Sequence, residues 1–141
     1  MEKQYTLKVY PQGMGREAYR VFEIGGKESL DRLCRLILDE FDFIDEHLYE
    51  FCMDGRIYSD NSYQSDPEAG QPSTKVRLDK IGLTEKQKFI LHYDFGDDWV
   101  FIISVQKIMA VAECSGPRVI KCKGNIEQYP DWDYEEDEYD E

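Results

Sequence analysis

Residues 88–107, KFILHYDFGDDWVFIISVQK, hold the densest apolar alternation in the chain and constrain its fold more than any other stretch. Side chains in a β-strand repeat with a period of two, so alternate residues share a face. Phe89, Leu91, Tyr93 and Phe95 share one face of a first arm, and Trp99, Phe101, Ile103 and Val105 share one face of a second. Both sets must line the same side of the sheet, because a one-residue slip would turn one of them away from the core. A two-residue loop would pair Phe95 with Asp98 and put the sets on opposite faces. The pattern therefore predicts a β-hairpin with a three-residue loop, Gly96-Asp97-Asp98, which pairs Phe95 with Trp99 and holds Asp98 near the left-handed region.

The same stretch carries the tightest acidic group, Asp94, Asp97 and Asp98, with Trp99 directly after it. In the expected register Asp94 points to the less apolar face, beside Val100 and near His92, while Asp97 and Asp98 sit at the turn. Turn building is the plain reading of the last two. Ligation of a hard cation is the functional one, with His47 as a further ligand or a general base. The candidate binding set is His47, Tyr49, Tyr93, Asp94, Asp97, Asp98 and Trp99, and no residue is singled out as catalytic. Asp94-Phe95-Gly96 matches the kinase magnesium motif, but the chain is too short for a kinase and has neither a Gly-rich loop before a VAIK-like strand nor an HRD-like loop.

A length of 141 residues predicts one domain with a sizeable core, and 13% aromatic residues favour a packed sheet over disorder. The net charge is −13, but eight acids and no base fall in residues 131–141, DWDYEEDEYDE. The rest of the chain carries an ordinary negative charge for a small domain. Residues 1–130 are read as the domain, with 60–75 as a flexible loop, and 131–141 as an acidic, disordered tail. No stretch clusters Lys and Arg as duplex DNA requires, so direct DNA binding is not expected. No apolar run is long enough to span a bilayer, and no signal peptide precedes the first strand pattern; a cytoplasmic location is expected. Cys34, Cys52, Cys114 and Cys122 show no C-x-x-C spacing and are expected to be reduced. With no phosphate loop and no dinucleotide fingerprint, no cofactor is expected.

Along the chain, strands are predicted at 5–10 and 18–24. A helix at 30–41 follows, capped by Ser29, with Leu30, Leu33, Cys34, Ile37, Leu38 and Phe41 on one face. A strand at 47–54, a short turn within 76–83, the hairpin and a strand at 118–121 complete the order. The fold class is α+β: a mixed, mainly antiparallel sheet with one helix on one face, in the β-grasp-like order β-β-α-β-β.

Several stretches together, SLDRLCRLILDEFDF, HLYEF, KFILHYDFGDDW, ISVQKI and GPRVIKCKG, resemble the plasmid pRi open-reading-frame-three-like family, also called the insertion-element passenger TnpR-like family. The resemblance covers most of 5–129. It implies a protein of bacteria, archaea or mobile elements whose biochemical role is not established. Members often carry His where this chain has Cys34, and D-W-x-H where it has Asp98-Trp99-Val100-Phe101; if those histidines ligate a metal with His47 and the aspartates, two ligands are missing here.

Three functions compete. The first is a non-catalytic protein-binding module, whose acidic tail suits a basic partner. The second is a divalent-metal-dependent hydrolase or nuclease built on the YDFGDDW aspartates, which requires those carboxylates to converge. The third, from the family name alone, is an accessory factor in mobile-element recombination.

Overall fold

The computed structural model describes residues 1–129. The acidic tail expected at 131–141, and the boundary drawn at 130, lie outside them. The described residues form β1 (Glu2–Pro11), β2 (Tyr19–Gly25), α1 (Leu30–Glu40), β3 (Tyr49–Cys52), β4 (Ser62–Gln64), β5 (Lys88–Tyr93), β6 (Trp99–Val111) and β7 (Arg118–Lys123), with a 3-10 turn at Leu78–Lys80. The result is an α+β fold with one sheet in the order β4-β3-β5-β6-β1-β2-β7. All paired strands are antiparallel, and an isolated Gln64–Ser73 bridge is parallel. No helix among the described residues is long and apolar enough to cross a membrane.

The β-grasp-like order is not the one that forms. The strand expected at 118–121 forms as β7 and takes one edge, a further strand, β4, takes the other, and the long β6 runs antiparallel to the whole of β1, from Glu2–Val111 to Pro11–Phe101. Within the loop expected at 60–75, Ser62–Gln64 pair with Glu50–Cys52 as β4. Three residues are too few to show an alternation in sequence. Backbone carbonyls of Thr74 and Val76 accept from the N–H groups of Asp31 and Leu30, which have no partner inside the helix.

α1 starts where the capping chemistry places it: the Ser29 hydroxyl accepts from Arg32 N at 3.1 Å. Its apolar stripe, Leu30, Leu33, Cys34, Ile37 and Leu38, is buried. It packs on the sheet face built by Tyr5, Leu7, Val9, Phe22, Ile24, Phe51, Phe89, Leu91, Phe101, Ile103 and Val105. The helix ends over Arg20, whose guanidinium donates to the Glu40 carbonyl and carboxylate at 3.1 and 3.0 Å. Among the described residues the opposite sheet face carries no helix.

The hairpin keeps the expected odd parity but not the expected loop. Its last rung is Tyr93–Trp99, so residues 94–98 form the turn and Phe95 does not pair with Trp99. The reason lies at Asp94. Its φ of 70° takes it out of the strand, and its Oδ1 accepts from Gly96 N at 3.0 Å and Asp97 N at 3.3 Å. Asp98 is left-handed as expected, at φ 53°.

Candidate functional site

Two polar clusters meet at the hairpin end, on opposite sides of the sheet. Antiparallel pairing sets Glu50 of β3 beside His92 of β5, and His92 beside Val100 of β6. By alternation these residues face away from α1. His92 Nδ1 lies 2.8 Å from Glu50 Oε2, and Nε2 lies 2.6 Å from Asp98 Oδ1. Glu50 and His92 are buried, whereas the Asp98 side chain is 47% exposed. A neutral imidazole has one N–H and an ionised carboxylate only accepts, so a neutral His92 donates to one of the two carboxylates and only a charged one donates to both.

The segment 54–60 folds over this row. Tyr58 N donates to Glu50 Oε2 at 2.7 Å, and Gln64 Nε2 donates to Oε1 at 2.7 Å. The rings of Tyr58 and Phe95 each lie 4.9 Å from the His92 ring, covering it from solvent. Burial pushes the Glu50 carboxyl up, but the hydrogen bonds from His92, Gln64 and Tyr58 outweigh it and hold it below its ordinary value. Beside it, burial pushes the Cys52 thiol up to about 12, so it stays protonated. Asp98 also lines an open depression of about 460 Å³ with Gln12, Arg56, Ile57, Ile90 and Val100.

The second cluster surrounds His47. Its Nε2 lies 2.9 Å from Tyr129 Oη, 3.4 Å from Asp94 Oδ2 and 3.8 Å from Glu46 Oε2. The Tyr93 hydroxyl accepts from Glu46 N at 2.9 Å and His47 N at 3.2 Å, and donates to the Ile44 carbonyl. Burial, followed by the charges of Glu46, Asp94 and Asp97, pushes the Tyr129 phenol up.

The candidate set is therefore divided. His47, Tyr93 and Asp94 come together with Glu46 and Tyr129. Asp98 joins Glu50 and His92, which the sequence reading did not select. Asp94 reaches His47 rather than the neighbourhood of His92, because its left-handed backbone breaks the strand alternation. Tyr49 belongs to the helix start: its hydroxyl donates to Asp31 Oδ1 at 2.6 Å, and burial and that carboxylate raise its pKa well above the usual range. Trp99 is half-buried against Phe43, 4.9 Å between ring centres, and Asp97 is exposed at the turn. Glu50 and His92 share a rung although 42 residues separate them, and only strand pairing reveals it. Among the described residues no group of three His, Cys, Asp or Glu side chains is arranged to hold a metal ion, and every buried side-chain N or O atom has a hydrogen-bond partner.

No curated protein matches the chain. Among solved structures it is similar to a protein of unknown function, MM3350 from Methanosarcina mazei Go1, with a TM-score of 0.74 and 25% identity, over 96% of this chain and 79% of that one. The family model described as plasmid pRiA4b ORF-3-like protein matches residues 3–131, in agreement with the motifs read above, and the chain belongs to that family.

Proposed function

We propose that the protein is a non-catalytic module that binds a protein partner. The observation that carries this reading is the commitment of the hairpin-end groups to the fold itself. Glu50 accepts from three donors, His92 uses both ring nitrogens, and Asp94 caps the turn it begins. A general base or metal ligand needs a lone pair aimed at a substrate or ion; here those lone pairs serve strand pairing and loop closure. The eight acids of 131–141 suit a basic partner.

A second reading, a divalent-metal-dependent hydrolase, is favoured by one contact: His47 Nε2 and Asp94 Oδ2 stand 3.4 Å apart, with Glu46 close by. Melting with and without Mg, Mn, Ca and Zn, on the wild type and on Asp94→Asn, separates the two. A ligand that binds only the folded state raises apparent stability, by about 2.7 kcal/mol at a hundredfold excess over Kd. The module reading expects no metal-specific rise that the substitution removes.

A further inference from the structure

The sheet face opposite α1 is basic, although the chain as a whole is acidic. The register sets Lys88 beside Ser104, Ser104 beside Lys8, Lys8 beside Val21, and Val21 beside Lys121, a single row across β5, β6, β1, β2 and β7. Lys107 lies on the same face beside Thr6, and Lys123 beside Tyr19. Lys88, Lys107, Lys121 and Lys123 are exposed, and Lys8, Tyr10 and Tyr19 are half-buried.

The strands place three carboxylates on this face, and each already has a partner. Glu2 pairs with Lys27 at 3.0 Å, Glu23 with Arg118 at 2.7 Å, and Glu50 with His92 at 2.8 Å. The lysine row therefore stands without a neutralising carboxylate from the sheet. Strands are spaced about 4.8 Å apart, so Lys88, Lys8 and Lys121, each two strands from the next, span about 19 Å, roughly the length of six extended residues.

We infer that this face docks an extended acidic polypeptide segment. The inference rests on the binding-module reading and adds to it a second contact surface, for an acidic partner segment where the 131–141 stretch suits a basic one. Charge complementarity carries it: a lysine row that no strand carboxylate neutralises suits the side-chain carboxylates of a partner segment. The aromatic groups favour a peptide over a single-stranded nucleic acid. The Lys8 ammonium lies 4.6 Å above the Tyr19 ring and 5.8 Å from that of Tyr10, so the cation occupies the ring faces on which bases would stack.

The test is fluorescence anisotropy on the full chain at low salt, with a labelled twelve-residue peptide of four Glu-Asp-Tyr repeats. The controls are a Gln-Asn-Tyr peptide and a twelve-base oligothymidylate. The acidic peptide should bind, and Lys8→Glu/Lys121→Glu should weaken it roughly tenfold, the sum of two modest charge contributions. Lys121→Glu/Lys123→Glu, both at exposed edge positions, should do the same if the first variant melts early. Lys75→Glu, exposed and away from this face, should leave binding unchanged. Peptide binding indifferent to the face variants, no binding of the acidic peptide, or tighter binding of the oligothymidylate would overturn the inference. A failure confined to the face variants counts against this surface alone, because the module reading is decided by the metal-melting experiment.

Discussion

His92 Nδ1 stands 2.8 Å from Glu50 Oε2, and both side chains are shut from water by Tyr58, Phe95 and the sheet. This pair ties β3 to β5 on the face without a helix. Removing His92 leaves the buried Glu50 carboxylate without one of its donors. His92→Ala should cost about 3 kcal/mol of unfolding free energy. Glu50→Leu/His92→Leu, which buries no charge, should recover most of that loss. Urea unfolding of the three proteins measures both.

The same pair sets a dependence on acid. Glu50 titrates below its ordinary value of 4.5 in the folded state, so between the folded and unfolded values the unfolded chain binds more protons. The stability from Glu50 is therefore present above about pH 4.5 and is lost as pH falls through the lower folded value. Glu2, held at about 2 by the Cys114 backbone and Lys27, contributes in the same direction and is common to both proteins. The melting temperature of the wild type should fall more steeply from pH 5 to pH 3 than that of Glu50→Gln. Parallel curves would count against the ionised pair.

Arg20 is a buried cation with a planar role. It donates to the Glu40 carboxylate and carbonyl, to the carbonyls of Lys123 and Gly124, and to Asn125 Oδ1, and it lies 4.5 Å over the Phe41 ring. It joins the helix end to the exit of β7. Lysine keeps the charge but not the fork. Arg20→Lys should lose about 2–4 kcal/mol in denaturant unfolding, close to the loss from Arg20→Met.

Gly124 follows β7 with φ 68°, and a Cβ there would sit 1.9 Å from the Glu17 carbonyl oxygen. Backbone meets backbone, so no side chain can turn away to make room. Gly124→Ala should destabilise by about 3 kcal/mol, left-handed strain and clash together. Gly13→Ala, also left-handed at φ 83° but with nothing near its Cβ position, is the matched control that isolates the clash.

Much of this fold can be read in residue order, and its failures have physical causes. The apolar stripe from Leu30 to Leu38 and the Ser29 cap mark the helix, because both are local features. The alternation around Leu91 and Phe101 gives the hairpin and its parity. It does not give the loop length, because the positive φ at Asp94 comes from the turn that its own side chain caps. The Glu50–His92 pair was not legible, because each residue interrupts a different apolar run. The row through Lys88, Lys8 and Lys121 is drawn from three separate strands and exists only once the sheet is ordered. His47 stands out by its chemistry alone, and it meets Asp94 through the connector after α1 rather than through the hairpin register.

On the proposed reading the carboxylates and imidazoles of the hairpin end serve the fold and do not hold a catalytic metal. The most direct test is the melting temperature in saturating Mn and in chelator, for the wild type and for Asp94→Asn. Melting within about 1 °C with and without metal in both proteins, with a lower Tm for Asp94→Asn from its weakened turn cap, is the expected result. A rise of several degrees with metal in the wild type, absent in Asp94→Asn, would contradict it and point to a metal centre at His47 and Asp94.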